Sequence, residues 1–261
     1  MQKRGQVTTF IVLGLLVLLG AGLLFYLTGT RQARLATTSL ETQLSFEQLT
    51  PEAYVQFCVE QTASKALFYL GFIGGDIQPD PNPFYFRYDD HYMLPYWYYK
   101  GKSYLPTKTE AEKNYLSRYV DTKLKSCLDW TNLPQYDITE SNVKTTTTIG
   151  ASDVTFLIDY PVTVSQEGRS RQLEPQYTTT IKLRLNEILT IAKIIIDKEV
   201  EDDLYIHWDY LTDVTKRNYN ITAYTEADET IVYRILDLQN SLYENKPYIF
   251  QWANKIKTVE P

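Results

Sequence analysis

Two histidines, His91 and His207, supply all the imidazole in this chain. General acid–base or metal chemistry would therefore rest mainly on carboxylates. Asp89-Asp90-His91 has metal-ligating residue types, but neighbouring residues in a strand or loop point apart, and the triplet reads as a solvated loop. The acidic run Asp197–Asp203 (DKEVEDD) has the charge to attract calcium but not the spaced Asp-x-Asp-x-Asp-Gly pattern of a calcium loop. It reads as a charged helix exit. No Gly-x-Ser-x-Gly, Walker A or Gly-x-Gly-x-x-Gly sequence occurs. An exported hydrolase built on paired carboxylates is the enzyme reading left open. The leading expectation is a chain with no catalytic residues, no metal and no cofactor.

Three other features carry chemistry. Cys58 and Cys127 are the whole cysteine complement; in a protein outside the cytoplasm such a pair usually bonds. Asn220-Ile221-Thr222 is an N-glycosylation sequon. The segment 84–104 draws heavily on a chain total of 22 Tyr, 10 Phe and 4 Trp. Such rings stack on sugars and anchor protein interfaces. Most of them read as core, with Tyr98, Tyr99 and Tyr104 expected on a surface that binds a cell-surface glycan or envelope protein. A net charge of −6 argues against nucleic acid as the main partner.

The strongest signal is N-terminal. No charged residue occurs between Gly5 and Thr30. A helix over Val7–Leu27 would span about 32 Å, enough for the bilayer core. Lys3 and Arg4 precede it, and Arg31 and Arg34 follow. Counted with the terminal amine, the positive charge places the N-terminus inside and the remainder outside. The run is longer than a secretory h-region and lacks an Ala-x-Ala-like end, so it reads as a retained single-pass anchor. Lys3-Arg4-Gly5-Gln6 leading straight into this run resembles the archaeal class III signal of type IV pilin-like proteins. The resemblance implies cleavage between Gly5 and Gln6 and helix-to-helix assembly into a filament. Phe10 stands where many pilins carry Glu. Gly14, Gly20 and Gly22 would permit close helix approach.

The exported part reads as α+β. We expect a cytoplasmic tip and membrane helix over 1–30, a stalk over 31–49, a helical, aromatic-rich region closed by a disulfide over 50–130, and an α+β region over 131–261. Thr50-Pro51-Glu52 opens a helix for which Gly71 is a plausible stop. Thr107–Glu110 is a capping box opening a second. Cys58 and Cys127 fall on the apolar faces of these two helices, as a staple requires. Val154–Val164 alternates as one half-buried strand and pairs with Val143–Ile149. Gln166-Glu167-Gly168 is a turn. Ile181–Asp197 reads as a long helix, although Tyr177–Leu185 could instead be strand. Ile221–Tyr224 and Thr230–Leu236 form a hairpin around Ala227-Asp228-Glu229, and Tyr248–Ala253 adds a last strand to an antiparallel sheet.

Several stretches, among them Leu70-Gly71-Phe72-Ile73-Gly74-Gly75, Leu94-Pro95-Tyr96-Trp97-Tyr98-Tyr99 and Ser126-Cys127-Leu128, are similar to a group of membrane-anchored surface proteins of small-genome archaea. That resemblance implies an archaeal cell-surface setting and brings no activity with it. The leading expectation is a pilin-like structural subunit in contact with the lipid bilayer and with copies of itself. An adhesion or glycan-binding module is the alternative, and the hydrolase the third.

Overall fold

A computed structural model describes residues 50–74, 85–87, 92–202, 206–226, 229–243 and 246–256. The chain divides into Met1–Gln48 and Leu49–Pro261, and every described residue belongs to the second unit. The expected membrane helix, the 31–49 stalk, the Gly5–Gln6 junction and Asp89-Asp90-His91 lie outside the described residues. Among the described residues no helix is long and apolar enough to cross a membrane.

Helix α1 (Pro51–Phe72) begins where its capping residues dictate: the Thr50 hydroxyl accepts from Ala53 N–H at 3.3 Å, and Pro51 occupies the first turn. Its buried stripe includes Tyr54, Val55, Cys58, Val59, Ala63, Leu67 and Leu70. Gly71 does not stop it. The helix runs one residue further, and Gly71 is the point where its backbone meets the sheet. A Cβ there would lie 2.2 Å from the Ile249 carbonyl oxygen and 2.6 Å from the Tyr248 hydroxyl. That hydroxyl donates to Leu67 C=O at 3.0 Å. Gly71→Ala must push the helix off the sheet, and we expect a loss of about 1–3 kcal/mol, read as a lower urea midpoint with an unchanged m-value.

Strands β1 (Tyr85–Arg87), β2 (Met93–Tyr99) and β3 (Lys102–Ser103) follow, with Lys100 and Gly101 at positive φ in the β2–β3 turn. Thr107 and Glu110 close the expected capping box at α2 (Lys108–Glu110). A π-helical segment, Ala111–Ser117, leads into α3 (Arg118–Cys127). Next come β4 (Asp137–Glu140), β5 (Lys144–Ile149), β6 (Asp153–Asp159), β7 (Val162–Gln166), β8 (Arg169–Gln172) and β9 (Gln176–Lys182). Helices α4 (Leu185–Glu201) and α5 (Trp208–Thr215) precede β10 (Tyr219–Thr225), β11 (Thr230–Tyr243) and β12 (Lys246–Lys255).

The described strands form three sheets rather than one: β1-β2-β12-β11-β10 with β3 beside β2, then β4-β7-β8, then β5-β6-β9. Pairing is antiparallel except between β2 and β12, which run parallel. The regions 50–130 and 131–261 thus share a sheet. The expected strand Val154–Val164 is divided between two sheets. Pro161 has no N–H to give a ladder, and Tyr160 N–H turns instead to Pro175 C=O at 2.7 Å. The alternation survives the break, since Val154, Phe156, Ile158, Tyr160, Val162 and Val164 are all buried. Tyr177–Lys182 takes the strand alternative, so Ile181 lies in β9 and the long helix begins at Leu185.

The π segment explains how β5 ends its sheet. Three amides on its outer border are taken by side chains of the neighbouring helix: Ile149 N–H by Glu112 (2.8 Å), Thr147 N–H by Ser117 (3.1 Å) and Thr145 N–H by Asp121 (2.7 Å). In an α-helix Glu112 and Ser117 would sit about 140° apart around the axis. The i→i+5 winding brings them to one side, and Ser117 Oγ donates to Glu112 C=O at 2.8 Å. Burial raises the Asp121 pKa above the ordinary value, with hydrogen bonding from Thr145 offsetting part of the rise. An acid whose folded pKa exceeds its unfolded one contributes most when protonated, and stability falls as pH rises through about 4. Asp121→Asn keeps an acceptor for Thr145 N–H and removes this penalty. It should match or exceed the parent at pH 7, with the advantage vanishing near pH 3. Asp121→Ala strands the amide and should lose about 1–3 kcal/mol. Urea titrations at both pH values check the pair.

Candidate binding surface

The aromatic segment divides between two sides of the largest sheet. A register shift between Ala253 and Asn254, which face Tyr96 and Tyr98, breaks the alternation of β2. Trp97 and Tyr98 both enter the main core, while Tyr96 and Tyr99 stand on the other side with ring centroids 5.4 Å apart. Tyr98 is therefore not a surface residue; its relative exposure is 0%. Trp97 stacks on Trp252 at 5.5 Å, and Trp252 on Tyr233 at 5.3 Å. Of the described rings in the segment, Tyr96, Trp97 and Tyr98 are buried. Tyr99 is half-buried, with Lys100 Nζ 5.7 Å from its ring centroid. Tyr104 is exposed, with Lys102 Nζ at 5.0 Å.

Beyond Tyr104 the chain forms one wall of a shallow groove of about 220 Å³. Ser103, Leu105 and Thr107 face Asn186, Thr190 and Lys193 of α4 across it. A second exposed aromatic patch was not foreseen from sequence. Phe68 and Phe72 stack at 5.3 Å, and Tyr92 meets Phe72 edge-on at 5.2 Å. The four-residue spacing of Phe68 and Phe72, both outside the buried stripe of α1, is the signal that could have found it.

The buried charges are held by structure. Glu199 does not belong to a solvated helix exit: it is 2% exposed and accepts from the Tyr233 hydroxyl (2.5 Å) and Asn254 Nδ2 (2.6 Å). Its place was readable from Ala192, Ile195 and Ile196 on the same helical face. Arg184 spans the entry to α4 and the middle of β11. It donates to Asp237 from Nε (3.3 Å) and Nη2 (2.5 Å), and to the carbonyls of Arg217 (3.1 Å) and Asn218 (3.5 Å). Its guanidinium lies 4.1 Å from the Tyr219 ring centroid. Asp237 is fully buried and also accepts from Gln239 N–H and Asn240 Nδ2.

Burial pushes the Tyr177 hydroxyl up to about 12, and raises Tyr160, Tyr219, Tyr233 and Tyr248 as well. None of these phenols serves as a base near neutral pH. Glu52 is held below the usual carboxylate range by its hydrogen bond from Arg171. Among the described residues, no three His, Cys, Asp or Glu side chains gather as metal ligands would.

Cys58 and Cys127 form a disulfide with Cα atoms 5.7 Å apart. It ties α1 to the end of α3. Beside it, the Tyr54 hydroxyl accepts from Asp129 N–H at 2.9 Å and lies 3.2 Å from Cys127 C=O. Asn220 is exposed on β10. Comparison of the chain with protein-family models, curated proteins and solved structures gives no match.

Proposed function

We propose that this chain is a membrane-anchored extracytoplasmic surface protein, a pilin-like structural subunit that performs no catalysis. The observation that carries the reading is the Cys58–Cys127 disulfide between two packed helices. Such bonds persist where the surroundings are oxidising, and this one follows a stretch long and apolar enough to hold the fold at a bilayer. The class III-like signal at Gly5–Gln6 supports the filament form. The test is the mature N-terminus of the native protein, taken from membranes and from sheared surface material. A start at Gln6 with recovery in the sheared fraction supports a filament subunit. A start at Met1 or Gln2 confined to membranes reduces the reading to a plain anchor, and an intracellular protein with free thiols overturns it.

Adhesion is the second reading, favoured by the exposed Tyr104–Lys102 pair, whose sequence neighbours Ser103 and Leu105 line the groove. An aromatic face beside a cation suits acidic, hydroxylated polymers such as envelope glycans. Under this reading Tyr104→Ala weakens binding to purified envelope polysaccharide about tenfold, the scale of a stacking contact worth about 1.4 kcal/mol. Equal binding by parent and variant removes the Tyr104–Lys102 pair from consideration.

A further inference from the structure

We infer that Asn220 is an N-glycan acceptor and that its sugar shields the open border of the largest sheet; this rests on the extracytoplasmic reading above. Strand β10 is the last in its sheet. Its alternation buries Tyr219 and Ile221 and exposes Asn220 and Thr222 on one face. The two sequon side chains therefore stand on the same side of an extended strand, about 7 Å apart along it. Neither is engaged with another described side chain. The acceptor amide and the hydroxyl two residues on, the pair a glycosyl transferase must reach, are both open.

The strand ladder shows what the sugar would stand beside. Leu238 N–H bonds to Asn218 C=O at 3.1 Å, and Glu226 N–H to Thr230 C=O at 2.8 Å. With the register Asn220↔Leu236 and Thr222↔Arg234 between them, the even-numbered residues of β10 bond to β11. The N–H and C=O groups of Ile221, Ala223 and Thr225 then point out of the sheet. A border with no described strand beyond it is a template for strand addition by another chain. A bulky, hydrated sugar at residue 220 keeps other chains off without altering a core contact.

The transfer is balanced with one co-reactant, a polyprenyl-phosphate-linked glycan. A bond forms between Asn220 Nδ2 and C1 of the first sugar, and the C1–O bond to phosphate breaks. The polyprenyl phosphate leaves with the bonding electrons, and the amide proton passes to a base on the transferase.

The experiment takes the full chain from the membranes of cells that naturally make it, as parent, Asn220→Gln, Thr222→Ala and Thr222→Ser. Peptide mapping reads the mass at residue 220, a membrane-impermeant amine label on intact cells reads location, and thiol counting reads the disulfide. A glycan mass on the parent and Thr222→Ser, lost in both other variants, is the expected result. An unmodified Asn220 in an externally labelled, disulfide-closed protein overturns the glycan and leaves the location standing. An unmodified Asn220 in an unlabelled protein with free thiols overturns both.

Discussion

Arg184→Ala is expected to destabilise the Leu49–Pro261 unit by about 3–5 kcal/mol, the range for breaking a buried ion pair from one side. The Arg184 side chain is 15% exposed and that of Asp237 0%, so solvent screening relieves little of the loss. The variant leaves a buried carboxylate with Gln239 N–H and Asn240 Nδ2 as remaining donors. It also frees the carbonyls of Arg217 and Asn218, which tie the start of β10 to the entry of α4. Asp237→Asn, which keeps an acceptor for those donors, should lose less. Replacing both partners by apolar residues, Arg184→Met with Asp237→Leu, should recover part of the loss, because no charge is then stranded. Urea unfolding of the three variants checks the series. A loss below about 1 kcal/mol for Arg184→Ala would place the pair with surface ion pairs and refute its role as the tie between α4 and the largest sheet.

The second large effect is expected at the disulfide. Cys58 and Cys127 are 69 residues apart, and opening a loop of that size releases unfolded-chain entropy worth about 4 kcal/mol. Cys58 is also fully buried in the stripe of α1. Reduction of the parent therefore isolates the loop contribution, and Cys58→Ala with Cys127→Ala adds the packing contribution of two lost sulfurs. We expect both to lower the urea midpoint, the alanine pair somewhat more. A reduced protein as stable as the oxidised one would mean that helix packing alone holds α1 on α3. Against a total stability of about 5–15 kcal/mol, either this change or the loss of Arg184 consumes a large share.

Local features were legible in the sequence. The Thr107–Glu110 capping box, the α1 start at Thr50-Pro51 and the alternation through Val154–Val164 depend on residues close in the chain, and each is present. The hairpin of Ile221–Tyr224 with Thr230–Leu236 is present for the same reason. Partners far apart in sequence were not legible. Nothing in Met93–Tyr99 announces a parallel pairing with β12, and no propensity marks the register shift that turns Tyr98 inward. The π segment answers a tertiary demand, the β5 border, and has no local signature. Of the three tyrosines expected on the surface, Tyr104 is exposed, Tyr99 half-buried and Tyr98 buried, while Phe68 and Phe72 lie outside the segment singled out from sequence.

The place of β12 has a consequence for how the chain is made. The last of the described strands lies in the interior of its sheet, between β2 and β11. Tyr96 emerges long before Ala253, the residue it pairs with. Until β12 is made, β2 waits without its parallel neighbour. The partners Cys58 and Cys127 emerge much earlier, so their bond can form while the sheet is still open. A chain halted before Lys246 lacks β12 (Lys246–Lys255), and β11 and β2 are left without the strand that lies between them. Closure of the largest sheet is therefore a late event, set by the arrival of β12.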